Sequence, residues 1–513
     1  VIEVEVHQQL RAFLREQGEP YWQHHLTMAR LVARALRLGR SALIQAGAPS
    51  GYHGRYRLSY LMPLLLWQGS AILVASEAVQ QRLLMVEIPR LQQWIPTQKE
   101  IRTGDRWLGE GFEGLLLTSP QSWLSDRLAG SGRFPPQILT VIDGADDLEQ
   151  WTRDELTLSL QPQDWDELMQ TYPQQTELIR DARVQLTRSI FQHPINPYDR
   201  YLVESSEQEI LSELYHRLAV GIEQPLPQSW NQFWQASQRA NQLLWAEVAR
   251  MQGQFSLLTA PAEVADALQP VWEQQPIVLV GGALDLDAEA TIYRQRLGLP
   301  DLTCLKFSPD RQHELIQLYL PDGLPMPNTP QFQPVLMQEL RALLGATQTA
   351  NQGLTVILIG DTPLKAQVGS MLAAEFGSRV QVERTCLDEH GILVAGWEYW
   401  RTHQAVLPAP HLLVIATLPF PSLEDPLVAG RVAHYKRSRQ DWFRLFLLPE
   451  ALSELQRAVA PVREAQGVVA LLDNRVNHRS YGQQILSSLS PLARINYVDA
   501  SLFASLEGFS LSE

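Results

Sequence analysis

The stretch IQAGAPSGYHGRYRLSYLMP, Ile44 to Pro63, carries the decision about fold. It follows the apolar start SALI and contains Gly47, Gly51 and Gly54. From about Leu58 it runs into an apolar pattern of helical spacing. Strand, glycine-rich loop and helix is the order that gathers backbone N–H groups around a phosphate. Such a loop also needs a lysine to reach the phosphates and a Ser or Thr to hold magnesium. Neither is here: Gly-Lys-Ser/Thr occurs nowhere in the chain, and the first lysine is Lys99. Arg55 and Arg57 are within reach of a phosphate, but a guanidinium is bulkier, binds as a fork and is no conservative stand-in for lysine. The loop is therefore either an altered nucleotide site or a remodelled surface loop.

Working outward, AILVAS, EGLLLTSP and ILTVIDGADDLE are short apolar runs alternating with helical patterns, and PIVLVGGAL resumes the series at Pro276. A second series follows from about Phe332, with LTVILIGD, RVQVER, ILVAG, HLLVIATLPFP and GVVALLDNR. Strands alternating with helices predict parallel sheets covered on both faces. Between Trp151 and Gln275 the short strands give way to Gln-, Glu- and Leu-rich patterns such as SWNQFWQASQRANQLLWAEVARMQ, which predict a mostly helical insertion. The expected organisation is an α/β unit over 1–150 completed by 276–305, an insertion over 151–275, a second α/β unit over 306–495 and a tail over 496–513. Any ligand site is expected at strand ends, in the cleft between the units.

Composition narrows the classes. The net charge of −14 opposes non-specific nucleic-acid binding, which rests on Lys and Arg neutralising phosphates, although a local basic groove is compatible with an acidic total. Cys304 and Cys386 stand far apart in no metal-like spacing and fit a reducing cytoplasm. No apolar run approaches the roughly 18 residues that cross a bilayer. The amphipathic start VIEVEVHQQLRAFLREQ lacks the pattern of an export signal, so a cytoplasmic location without membrane contact is expected.

Over about residues 20 to 495 the chain resembles the DinG/XPD-type superfamily-two ATP-dependent DNA helicases. QAG…LSYLMPLLL, Gln45 to Leu66, is similar to the family's phosphate-loop passage, and ILVASEAVQQRLL to the next motif. TVIDGADDLE is similar to the Asp-Glu-Ala-His box, with Asp143 kept, Gly144 in place of Glu and Asp146 in place of His. LPFPSLEDPL (Leu418 to Leu427) and GVVALLDNRVNHRSYGQQILSSL (Gly467 to Leu489) match the C-terminal domain and are the most specific signals. Elsewhere VGGAL replaces Ser-Ala-Thr-Leu. WRTHQ keeps only Trp400 of Trp-Glu-Gly-Val-Asp. QRAVAPVR keeps Gln456 and Arg463 but has Ala460 at the first arginine position, and His25 stands where the family reads adenine with Gln.

The resemblance implies two RecA-like parallel-sheet domains, a P-loop NTPase helicase fold, with the insertion as an arch. It implies ATP with magnesium as the cofactor, and the lost residues argue against it. The family's iron–sulfur cluster takes four cysteines and is excluded by two. The missing Glu activates water, worth on the order of 10²–10⁴ in rate. An arginine finger is worth about 10³–10⁵. No catalytic residue is assigned. Vestigial nucleotide-binding candidates are Gly47, Gly51, Gly54, Arg55, Arg57, Asp143, Gln456 and Arg463, with Asp143 the single candidate metal ligand. Trp400 and Arg401 are candidates for nucleic acid. Three functions stay open: an ATPase-deficient helicase homologue that binds nucleic acid or acts as a scaffold in DNA metabolism and repair; an active helicase with an atypical site; and a protein-interaction component binding neither ligand. The corresponding partners are single-stranded or duplex DNA, or another protein.

Overall fold

The computed structural model describes residues 2–18, 20–48, 53–95, 99–109, 111–219, 225–311, 313–349, 353–388, 390–498 and 503. Gly51 lies outside the described residues.

Short apolar runs bounded by turns become strands because helices can bury them on both faces. Before the insertion come β1 (Ala42–Gln45), β2 (Ala71–Val74), β3 (Ile101–Thr103), β4 (Leu115–Thr118) and β5 (Thr140–Asp143). The insertion carries β6 (Leu158–Leu160), β7 (Arg200–Leu202), β8 (Gln242–Ala249) and β9 (Gln254–Pro261). After it come β10 (Ile277–Gly281) and β11 (Thr303–Lys306), then β12 (Ile316–Tyr319), β13 (Thr355–Leu358) and β14 (Val380–Val382). The chain continues through β15 (Ile392–Ala395), β16 (Leu412–Ile415), β17 (Val468–Leu471) and β18 (Leu492–Ile495).

The first sheet has the order β11-β1-β10-β5-β2-β4-β3 and the second β14-β15-β13-β16-β17-β12-β18. Every neighbouring pair in both is parallel. This is the two-unit parallel α/β fold expected from the strand–helix alternation. The chain leaves the first sheet after β5 and returns in its neighbour β10, with Ile277 opposite Thr140. The insertion therefore hangs beside the loop that follows Asp143. Separate apolar clusters fill the two faces of each sheet, and another, around Trp165, Leu186 and Leu257, fills the insertion.

The insertion is mostly helical, yet the expectation that strands vanish there is corrected by an antiparallel sheet of order β6-β9-β8-β7. Of the predicted helical run SWNQFWQASQRANQLLWAEVARMQ, only Gln228–Ser237 is α-helix, and Gln242–Ala249 is β8. β8 and β9 form a hairpin from Gln242↔Pro261 to Ala249↔Gln254, closed by Arg250–Gln252 and a left-handed Gly253. Trp230 and Trp245 are both core, Trp230 from the helix Gln228–Ser237 and Trp245 from β8.

Candidate nucleotide site

Tyr56 and the first turn of the helix Arg57–Leu66 face the carboxyl end of β5. Asp143, the last residue of β5, is 3% exposed. Its Oδ2 accepts from Arg57 Nε at 3.0 Å and from the Tyr60 hydroxyl at 2.8 Å, and its Oδ1 accepts from the Tyr56 hydroxyl. Positions 56, 57 and 60 share one end of the helix, which aims three donors at one carboxylate. Burial, and then the Asp143 charge, push both tyrosines well above their ordinary pKa and keep them protonated donors. Burial works against the Arg57 cation, but the Asp143 carboxylate outweighs it and raises the guanidinium's pKa.

These residues do not fit a magnesium nucleotide. A metal on Asp143 would have to displace a paired guanidinium and a buried hydroxyl from a carboxylate already satisfied by its own chain. Among the described residues there is no cluster of three or more His, Cys, Asp or Glu able to hold a metal.

Arg55 is occupied too. It pairs with Glu464 of the second unit at 2.7 Å, and His53 reaches the same carboxylate at 2.8 Å. Burial raises the Glu464 carboxyl to about 7 despite the neighbouring Arg55. The space here, lined by Trp22, Gly47, Arg55, Asp310 and Glu314, is about 30 Å³. That is room for about one water, where ligand pockets run to hundreds of Å³. Gly47 and Gly54 keep positive φ of 90° and 63°.

On the other side of Arg57 the cleft widens to a cavity of about 410 Å³, lined by Arg57, Asp143, Gly144 and Trp151 with Arg401, Gln404, Arg457 and Ala460 of the second unit. Gly144 is left-handed at φ 85°, and a Cβ there would meet the Trp151 ring at 3.1 Å. The position where the resemblance places a water-activating Glu thus has a backbone that disfavours any side chain. Asp146 accepts from the N–H groups of Gly282 (2.8 Å) and Ala283 (2.6 Å), tying this loop to the end of β10. Asp147 pairs with Arg457 across the cleft at 2.8 Å.

Glu149 is a hub. Its carboxylate accepts from Arg153 (2.7 Å) of the same helix, Arg296 (2.6 Å) of the first unit and Arg431 (2.6 Å) of the second. Arg296 also reaches Glu450, and Arg431 lies 3.8 Å over the Phe446 ring. Burial opposes the Glu149 charge, but the three arginines hold its pKa well below the usual carboxylate range. One turn beyond Arg431, His434 pairs with Glu263 at 3.1 Å. Gly430 lets this helix sit on the insertion: a Cβ there would be 3.1 Å from Leu243.

The remaining candidates lie elsewhere. Gln456 bonds the Leu452 carbonyl within its helix at 3.2 Å and lines a separate, mainly apolar cavity with Leu284 and Leu286. Arg463, 2% exposed, donates to the carbonyls of Glu314 (2.7 Å), Pro491 (3.1 Å), Ser490 (3.3 Å) and Leu489 of its own unit. Burial pushes it down to about 10. Trp400 needs a correction as a nucleic-acid candidate: it is fully buried, its indole N–H donates to the Ala458 carbonyl at 3.1 Å, and no ring face is open to a base. Arg401 is half-exposed at the cleft, 3.5 Å from Glu454. His25 is buried, with Nδ1 accepting from Ser59 Oγ (2.8 Å) and Nε2 donating to the Pro20 carbonyl (3.0 Å), so neither nitrogen is left for a base. Tyr56, Tyr60, Glu464 and Arg457 were not singled out from sequence. The pair of tyrosines four residues apart beside Arg57 was the available signal.

The comparisons with known proteins agree with this architecture. The family described as Helicase C-terminal domain matches residues 409–492. The ATP-dependent DNA helicase YoaA of Haemophilus influenzae is 27% identical over 257 residues, 47% of this chain and 40% of that protein. YoaA of Escherichia coli is 26% identical over 256 residues, with the same shares. The matched part thus spans less than half the length of these curated relatives. Among solved structures, an XPD helicase aligns over 93% of this chain and all of its own, at 11% identity and TM-score 0.59. Xpd4 of S. tokodaii covers 92% of this chain and all of its own, at 14% identity and TM-score 0.57. At such identities the structural likeness is one of fold.

Proposed function

Starting from a chain that is a relative of the DinG/XPD-type superfamily-two DNA helicases, we propose that it has kept the helicase fold and does not hydrolyse ATP. It serves as a nucleic-acid-binding or scaffold protein in DNA metabolism and repair. One observation carries this reading: Asp143, the residue matching the family's magnesium ligand, is bonded by Arg57, Tyr56 and Tyr60 of its own chain. The narrow space at Gly47 and the left-handed Gly144 support it independently. The test is steady-state ATPase with single-stranded DNA. Turnover indistinguishable from buffer is expected, and DNA-stimulated turnover abolished by Asp143→Ala would refute the proposal.

The cavity of about 410 Å³ favours a second reading, an active helicase in which Arg57 turns from Asp143 to a phosphate. Strand displacement by the purified protein would establish it. A pure protein-interaction role is the outcome if neither nucleotide nor nucleic acid binds. Among the described residues no helix is long and apolar enough to cross a membrane.

A further inference from the structure

One helix of the second unit, Leu448–Glu464, lies along the cleft. Its residues Glu450, Glu454, Arg457, Pro461 and Glu464 follow one another at steps of four and three, which puts them on one face. Three of the four charges on that stripe meet opposite charges of the first unit. Glu450 takes Arg296, Arg457 donates to Asp147 at 2.8 Å, and Glu464 takes Arg55 at 2.7 Å with His53 at 2.8 Å. The fourth, Glu454, faces Arg401 of its own unit at 3.5 Å. The bridging charges thus run minus, plus, minus along the helix, against plus, minus, plus on the first unit.

From Glu450 to Glu464 the stripe runs about 21 Å, with its bridging contacts about 10 Å apart. Three contacts along one helix set its position and tilt but leave rotation about that line. The bond from Arg431 to Glu149, 2.6 Å, comes from a different helix, Pro426–Arg437, and blocks the rotation. His434 of that helix adds Glu263 of the insertion at 3.1 Å. Alternating signs also fix the register. Sliding by one seven-residue step would set Asp147 against Glu450 or Glu464, and Arg457 against Arg296 or Arg55. Like charges brought face to face repel, so the slid arrangements are excluded. The Glu464 and Arg457 side chains are 14% and 20% exposed, so salt screens these pairs less than it screens open surface pairs. Every partner in the set belongs to the chain, so the units need no nucleotide to bridge them.

We infer that the charged stripe is a built-in latch, which holds the two α/β units closed in a single register without a nucleotide between them. A ligand can drive closure only of units that otherwise part, and units latched by their own chain leave no such step to drive. The latch goes beyond the proposed function and does not depend on whether nucleic acid binds.

The experiment is a pulsed electron-spin distance measurement on the full chain, with nitroxide labels on Cys304 of the first unit and Cys386 of the second. One narrow distance is expected, the same with and without magnesium ATP. Asp147→Arg or Glu464→Arg alone should broaden it toward longer distances, raising the open-to-closed ratio about tenfold or more. Adding Arg457→Asp to the first, or Arg55→Glu to the second, should restore most of the narrow peak. Asp147→Arg combined with Glu464→Arg re-pairs nothing and should stay broad, while Glu454→Gln should measure as wild type. Rescue by the paired swap keeps the test readable where a single reversal lowers the melting temperature. A broad wild-type distribution, or reversals that leave the peak narrow, would overturn the latch. A broad distribution that magnesium ATP narrows would overturn both the latch and the proposed loss of ATP chemistry. A narrow peak beside measurable ATP turnover would support the latch and overturn only that loss.

Discussion

Arg57 Nε lies 3.0 Å from Asp143 Oδ2, and both side chains are withdrawn from water, 12% and 2% exposed. A cation supplied by the chain thus sits against the carboxylate where the helicase resemblance places a metal. Removing one partner of a buried pair leaves the other charge uncompensated, at about 3–5 kcal/mol. Arg57→Ala should therefore cost about 3 kcal/mol in urea unfolding, the low end because Tyr56 and Tyr60 remain. Asp143→Ala should cost a similar amount. The double variant should fall short of the sum by about 1 kcal/mol or more, as contacting residues do. Strict additivity would mean the two do not interact.

Gly144→Glu restores the residue type expected from the resemblance, yet it should not restore an enzyme. A side chain at φ 85° costs about 1–2 kcal/mol, and the new Cβ would meet Trp151. A lower melting temperature with no gain in ATP turnover is the expected outcome. Recovered turnover would mean that the loop rearranges.

Much of the fold was legible because buried parallel strands are written as local apolar runs: ALIQ, AILV, LLLT and TVID each lie within one strand buried along its length. The hairpin β8–β9 was not, because Gln, Leu and Ala suit helices and the burial along β8 is irregular. Its signal was Gly253, a turn residue between two alternating runs. At the site, the sequence disclosed which groups were lost but not what replaced them. The bonds from Tyr56 and Tyr60 to Asp143, and from Arg55 to Glu464, join residues 83 to 409 positions apart and depend on packing alone. Trp400 was misread for the same reason: a motif position does not tell a core indole from an exposed one.

His25 gives a pH signature. Burial pushes its pKa down to about 4, so the folded state binds fewer protons than the unfolded one. Its contribution is present above the ordinary value of 6.5 and is lost as pH falls toward 4. Between pH 7 and pH 5 the loss is roughly 2 kcal/mol. His25→Gln keeps a donor for Pro20 and an acceptor for Ser59, and should flatten the stability profile by about that amount. Parallel profiles for the two proteins would show that His25 does not titrate in this range.

Glu149 joins the insertion helix to both α/β units through Arg153, Arg296 and Arg431. Glu149→Gln leaves three guanidinium groups around a neutral amide and should cost about 3–5 kcal/mol. Hydrogen exchange should quicken in the helices Thr291–Leu297 and Pro426–Arg437, which carry Arg296 and Arg431. Unchanged exchange in both would rule out the bridge.

Whether the cleft at Asp143 accepts a magnesium nucleotide decides between a relict site and a working one. Titration calorimetry of the full chain with ATP or a non-hydrolysable analogue, with and without magnesium, measures this directly. The account predicts no saturable heat in either condition for the wild type. A saturable, magnesium-dependent isotherm that disappears in Asp143→Asn would contradict it.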